Sequence, residues 1–223
     1  GSSLEVVLLS FALAERINAE RRLRFEAQAQ ALKTTQRMNE ELEGRVQERT
    51  RELEALTLRL RELSNTDALT GLHNRRFLDN QLREEWERCR RYKRCLAVIL
   101  LDIDHFKQVN DLHGHQSGDE CLFEVAQRVQ QGLRWPADQA ARYGGEEFCI
   151  VLPETALEGA VTVAERIRQL IEDLPVDTAT GPLRITVSAG VCALVPDSGT
   201  SINELLKNAD QALYKAKEAG RNR

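Results

Sequence analysis

The opening stretch of this chain has almost nothing that would interrupt a helix: residues 4–64 contain no proline and a single glycine, Gly44. Long apolar runs are also missing. The most hydrophobic segment, Val6–Ala14, is about half of the ~20 residues that a membrane-spanning helix requires, and no signal peptide precedes it. The five cysteines, Cys89, Cys95, Cys121, Cys149 and Cys192, are odd in number and form no Cys-x-x-Cys pair. That excludes a disulfide framework or a zinc ribbon and points to buried free thiols in a reducing compartment. Positive charge is not in excess: the net charge is −4, whereas sequence-independent nucleic-acid binding needs a basic footprint, so no nucleic-acid partner is expected. No Walker A loop, dinucleotide-binding fingerprint or hydrolase nucleophile elbow occurs.

What the chain does have divides in two. Its 223 residues, 42% hydrophobic and 30% charged, allow one packed domain plus an extension. Over residues 4–64 a heptad frame puts Leu42, Val46, Leu53, Leu56, Leu60 and Leu63 on one seam, interrupted by Arg49. That is the pattern of a parallel two-stranded coiled coil and hence of a homodimer. The upstream seam carries Asn18, Arg21, Gln28, Thr35 and Asn39, which weaken it while fixing register. This suits a signal-transmitting helix and a passive stalk equally well. Ser64-Asn65-Thr66-Asp67 breaks the frame, and the second domain is placed at 66–223.

In that domain the pattern predicts helix 75–92, strand 96–102, helix 117–132, strands 139–143 and 146–152, helix 155–173, strand 184–194 and helix 201–219. Without the outer helices this is β-α-β-β-α-β, an α+β ferredoxin-like plan with an antiparallel sheet. Gly144-Gly145 fits a type I′ hairpin turn, followed at once by Glu146 and Glu147. The apolar run Leu96–Leu101 ends in Asp102-Ile103-Asp104. In the ferredoxin-like order the first and third strands are antiparallel neighbours, so Asp102 should meet Glu146 and Glu147. Three carboxylates at one locus repel unless cations intervene, and hard oxygen ligands select Mg²⁺ or Mn²⁺. A solvated acidic turn is the bland alternative. His105-Phe106-Lys107 opens a helix whose first amides can hold phosphate. His113-Gly114-His115 offers a zinc-like pair, disfavoured by the absence of nearby cysteine.

Arg142–Phe148 (RYGGEEF) resembles the signature of GGDEF domains, the diguanylate cyclases of bacterial signalling. Asp67–Asn74, Asp102–Asp119, Ser188–Val191 and Ala209–Asn222 resemble further blocks of that family, in the same order. The resemblance implies a nucleotidyl-cyclase, polymerase-palm-like domain that condenses two GTP to cyclic di-GMP and two pyrophosphates with two Mg²⁺ (or Mn²⁺) per site. By the same resemblance Asp102, the Ile103 carbonyl and Glu146 or Glu147 hold metal, and Glu146 accepts the 3′-hydroxyl proton. His105, Phe106, Lys107, Asn110, His115 and Asp119 match nucleotide-binding positions, and an Asn with an Asp suits the donor edge of guanine. Lys217 and Arg221, four apart on the last helix, match the triphosphate pair, although a cationic helix end is favoured by the dipole anyway. Asp138 and Arg166 match a product-inhibition site whose remaining arginine is displaced: Arg134 stands one residue further back, before Trp135-Pro136.

Leu4–Asn18 resembles the exit of a last membrane helix in bacterial receptors. That would make this chain the cytoplasmic output of a receptor whose membrane sensor domain lies N-terminal to it. Rival readings are a silent domain that binds GTP or cyclic di-GMP, a coiled-coil interaction protein, and a cyclase for another purine.

Overall fold

The computed structural model describes residues 20–22, 24, 30, 32–33, 37–39, 41–53, 56, 65–133, 136–173 and 175–223. The chain divides into two units between residues 60 and 61. In the first unit residues 41–53 are helical, and Leu42, Val46 and Leu56 are exposed. Its charged residues pair along the helix, Arg45 with Glu41 at 2.8 Å and Arg49 with Glu52 at 2.6 Å. Such exposed pairs contribute only about 0.3–0.5 kcal/mol each. The receptor-like segment 4–18 lies outside the described residues, as do Leu60 and Leu63 of the seam. Among the described residues no helix is long and apolar enough to cross a membrane.

The second unit runs β1 (His73–Asn74), α1 (Arg75–Tyr92), β2 (Leu96–Ile103), α2 (Phe106–Gly132), β3 (Gln139–Gly144), β4 (Glu147–Pro153), α3 (Leu157–Asp173), β5 (Val176–Thr178), β6 (Gly181–Leu183), β7 (Val187–Leu194) and α4 (Ile202–Glu218). The sheet order is β1-β3-β4-β2-β7. Its four long strands reproduce the expected ferredoxin-like arrangement, with β2 antiparallel to both β4 and β7. The predicted all-antiparallel sheet needs one correction: β1 adds a parallel edge to β3, so the sheet is mixed. Two residues carry no periodicity, and their strand identity comes only from pairing with β3.

Helices cover both faces of this sheet. Ala97, Ile99, Leu101 and Ile103 of β2 join Phe148, Ile150 and Leu152 of β4 in a core closed by α2 and α3. Leu96 and Val98 join Cys149 and Val151 in a second core, under α1 and α4. A strand buried on both sides reads as a continuous apolar run, and each large side chain so buried contributes about 1.5–3 kcal/mol. Asn74 caps α1 by accepting from the Phe77 amide at 3.0 Å, and Ser201 caps α4 by accepting from Glu204 N at 3.2 Å.

Three further corrections concern glycines and turns. The helix start read at His105-Phe106-Lys107 and the helix placed at 117–132 belong to one element that begins at Phe106, with a kink where Gly114 (φ 81°, ψ 163°) leaves helical geometry. Residues 184–186 are not strand, and the hairpin β5–β6, turning on Ala179-Thr180 before Gly181 (φ 113°), was not foreseen. Finally, the β3–β4 turn sits one residue later than expected, on Gly145-Glu146, with Gly144 pairing with Glu147. The positive-φ glycines are Gly71, Gly114, Gly181 and Gly220, so Gly144-Gly145 is not a type I′ turn. A register shift between Arg142 and Gly144 supplies the bend instead.

Candidate active site

The site forms where β2 runs out of apolar residues. Asp102 lies opposite Glu147 on β4 and opposite Ser188 on β7. The next amide, Ile103 N, donates to the Glu146 carbonyl at 3.4 Å, which draws the hairpin tip against the strand end. Asp102 is 7% exposed. Burial pushes its carboxyl above the usual carboxylate range, and Glu146 and Asp104 add to the rise; Lys217 opposes it. Lys217 Nζ stands 2.8 Å from Asp102 Oδ2. Its ammonium group provides the positive charge that this end of the strand requires.

The tip is braced from behind. Arg142 donates from Nε and Nη2 to the Gly145 carbonyl at 3.0 and 2.9 Å, and from Nη1 to Asp67 Oδ1 at 3.3 Å. Asp67 also accepts from the Thr70 amide and hydroxyl at 2.9 and 2.7 Å. The entry turn therefore locks the hairpin that presents Glu146. The turn itself is structural, as expected: Thr70 and Leu72 are buried, and Gly71 takes φ 72°. The bracing role of Arg142 and Asp67 was missed, because no local pattern links residues so far apart in sequence.

The expected meeting of Asp102 with Glu146 and Glu147 holds in register, but three ligating side chains do not gather: no cluster of three or more His, Cys, Asp or Glu suited to a metal occurs among the described residues. Glu147 is exposed and Glu146 half-buried, and Lys217 already neutralises Asp102. The donors that remain fit a divalent cation of the magnesium type: a buried carboxylate beside an ammonium group, the Ile103 carbonyl and the neighbouring Glu146. All are hard oxygen donors, and the site already draws positive charge to itself.

The nucleotide-side residues fall on both arms of the kinked α2. His105, in the left-handed region at φ 58°, starts the helix and its carbonyl accepts from Gln108 N at 2.8 Å. The Phe106 and Lys107 amides stand in the first turn, where no helical partner exists. The Phe106 side chain is core, 7% exposed; only its backbone is available to a ligand. The Gly114 kink brings Asn110 back onto Gly118: a β-carbon at 118 would lie 2.0 Å from Asn110 Oδ1. Asp119, next to Gly118, lines a cavity of about 380 Å³ with Leu69, Phe123 and Val176. His115 is exposed on the second arm, and nothing joins it to Asn110. His113, the other member of the disfavoured zinc-like pair, meets Thr180 Oγ1 at 3.3 Å through its Nδ1.

Lys217 and Arg221 do not share a helix face. α4 ends at Glu218, Gly220 turns the chain at φ 110°, and the Arg221 amide donates back to Ala216 O at 3.0 Å, the 6→1 bond of a Schellman cap. Arg221 therefore projects from a left-handed turn at φ 62°. Of the expected product-inhibition residues, Arg134 lies outside the described residues, together with Trp135. Asp138 precedes β3, and Arg166 donates from Nε to the Gly132 carbonyl at 2.8 Å.

Comparison with known proteins places this geometry. A family model, "Diguanylate cyclase, GGDEF domain", matches residues 64–223. The response regulator PleD of Caulobacter vibrioides is 44% identical over 163 residues, 72% of this chain and 36% of PleD. The probable diguanylate cyclase DgcC of Escherichia coli is 40% identical over 165 residues, 74% of this chain and 44% of DgcC. The chain thus matches between a third and a half of the length of these curated relatives. A crystal structure of the coiled coil and GGDEF domain of DgcB from Caulobacter crescentus, in complex with c-di-GMP, superposes with TM-score 0.72 at 35% identity. It covers 82% of this chain and 97% of that one. On a family match that takes in every element of the sheet and its four helices, the chain belongs to the GGDEF-domain diguanylate cyclases.

Proposed function

We propose that this chain condenses two GTP molecules into cyclic di-GMP, releasing two pyrophosphates, as a dimer in which each domain supplies one half-site. The observation that carries the reading is the buried Asp102 at the end of β2, beside Glu146 and 2.8 Å from Lys217. A passive acidic turn would not hold a carboxylate in that position against its desolvation cost.

In this scheme the 3′-oxygen of each GTP bonds to the α-phosphorus of the other, and the bond from that phosphorus to the pyrophosphate oxygen breaks. Glu146 takes the hydroxyl proton. Magnesium or manganese, two ions per site, would be held by Asp102, the Ile103 carbonyl and Glu146 or Glu147. Bound there, the metal neutralises charge on the phosphoryl oxygens and the leaving group. The Phe106 and Lys107 amides, Lys217 and Arg221 hold the triphosphate, while Asn110 and Asp119 accept from the guanine edge.

One half-site cannot close the ring, which gives the first unit its purpose. Burying Leu42, Val46 and Leu56 against a second copy would raise the effective concentration of the partner domain to roughly the millimolar range. A shift of seam register would then align or misalign the two sites. The DgcB crystal structure noted above likewise contains a coiled coil together with a GGDEF domain. Residues 4–18 would join this cytoplasmic part to a membrane sensor. Feedback through Arg134, Asp138 and Arg166 would be weakened by the intervening Trp135-Pro136.

The test is incubation with GTP and Mg²⁺, chromatographic identification of the products, and sedimentation to establish the dimer. Cyclic di-GMP formed by the parent and lost in Glu146→Ala supports the cyclase. GTP binding without turnover, even in a dimer with an out-of-phase insertion at Gly44, would point to a silent receptor instead.

A further inference from the structure

Asp104 stands two residues beyond Asp102, is 5% exposed, and does a different job. Its Oδ1 accepts from the Ser188 hydroxyl at 2.7 Å, and its Oδ2 accepts from the Thr186 hydroxyl at 2.7 Å and the Asn222 amide at 3.1 Å. Its own amide donates to Thr186 O at 2.9 Å. The carboxylate is thus engaged by three protein donors from two segments.

The third donor belongs to a run of positive-φ residues. Gly220, Arg221 and Asn222 have φ of 110°, 62° and 50°, a left-handed run that glycine adopts freely and asparagine tolerates but that strains the arginine between them. Such a run persists when its surroundings over-determine it, and here they do. The Asn222 side chain donates from Nδ2 to Glu172 Oε1 at 2.7 Å and accepts from Arg168 Nη1 at 2.8 Å, which anchors it to α3. The Arg223 carbonyl accepts from Ala189 N of β7 at 2.8 Å. Arg221 sits between these anchors, one turn beyond Lys217.

We infer that Asp104 is a positioning residue, not a metal ligand: with Asn222 it clamps the strained turn that aims Arg221, and the helix end that carries Lys217, at the substrate triphosphate. This rests on the reading of Lys217 and Arg221 as phosphate-binding groups. The clamp ties the strand that ends in Asp102 directly to the cationic terminus, so both sides of the site move together.

The test compares Asp104→Ala, Asp104→Asn and Asn222→Gly with Arg221→Ala, all in the full chain. Asp104→Ala leaves the Asn222 amide without its acceptor. KM for GTP should rise about tenfold, the equivalent of one lost charge-assisted hydrogen bond, with the Mg²⁺ activation constant unchanged. Asp104→Asn can keep its carbonyl oxygen at the Oδ2 position and turn its amide group toward the Ser188 hydroxyl, so it should restore a near-parental KM. Asn222→Gly removes the side-chain anchor to Glu172 and Arg168 but keeps the backbone amide that donates to Asp104, so it should give a smaller rise. Independently of activity, hydrogen exchange at the Asn222 and Ala189 amides should accelerate in Asp104→Ala.

A raised Mg²⁺ constant in Asp104→Asn would make Asp104 a metal ligand and overturn the inference. Unchanged amide exchange in Asp104→Ala would overturn it as well, as would an unchanged KM in both Asp104→Ala and Asn222→Gly while Arg221→Ala raises it. If Arg221→Ala itself leaves KM unchanged, the phosphate reading fails, and exchange alone then decides whether the clamp exists.

Discussion

Replacing Gly190 with alanine should unseat α4 and carry Lys217 away from Asp102. Gly190 lies on β7 opposite Leu100, on the face covered by α4. An added β-carbon would stand 2.1 Å from the Ala209 carbonyl oxygen, 2.3 Å from the Leu213 amide nitrogen and 2.7 Å from Leu213 Cβ. The first two are backbone atoms, so no rotamer change relieves them. Restoring ordinary contact means moving the helix by about 1 Å or more, with an overpacking cost of about 1–3 kcal/mol. For a domain of this size that corresponds to a fall in melting temperature of about 3–10 °C. Because Lys217 and the turn beyond it ride on α4, activity should fall by up to about 10²-fold, the typical penalty for a misplacement of that order. Urea denaturation followed by circular dichroism measures the first effect and initial rates of cyclic di-GMP formation the second. Ala209→Gly in the same background should not rescue either, since the obstacle is the carbonyl. A stability change within about 0.5 kcal/mol, the range of a neutral surface substitution, would refute the close seating of α4 on β7.

Gly145→Ala should behave in the opposite way: nothing lies within 4 Å of its added β-carbon and its φ is not positive. Stability should stay within about 0.5 kcal/mol of the parent, so any fall in turnover would report a ligand approaching that backbone; a large loss of stability would contradict this. Gly118→Ala should push the Asn110 amide aside, weakening GTP binding more than ATP binding in a competition titration; equal effects would mean that Asn110 does not read the base. Asp67→Asn should destabilise the domain at neutral pH and much less in acid. Burial alone would raise the Asp67 carboxyl, but hydrogen bonds from Thr70 and the Arg142 charge hold it below its ordinary value. A carboxyl lowered on folding contributes stability that is fully present above its unfolded pKa and is lost as pH falls through its folded one. Denaturant midpoints of parent and variant should therefore converge as the pH falls below the ordinary carboxylate range, and a gap constant with pH would sink the argument.

The order of strands and helices was legible because burial writes itself into periodicity. Leu96–Leu101 reads as a strand covered on both faces, and Arg75–Tyr92 as a helix with Asn74 before it. The Gly-Gly-Glu-Glu tip and the run ending at Asp102 marked the candidate site in the sequence itself. Elements without periodicity stayed hidden: β1, with two residues, exists through its pairing with β3.

Local sequence therefore determined which residues bear charge and which hairpin carries the two glutamates. It could not determine which charges meet. Lys217 reaches Asp102 because Gly190 lets α4 lie close on β7, and Arg142 braces Gly145 because the entry turn folds back with Asp67. Asp104 faces Asn222 across more than a hundred residues of chain. Those contacts depend on the packing of whole helices against a sheet, a cooperative outcome of many buried side chains, and no short stretch of sequence encodes it.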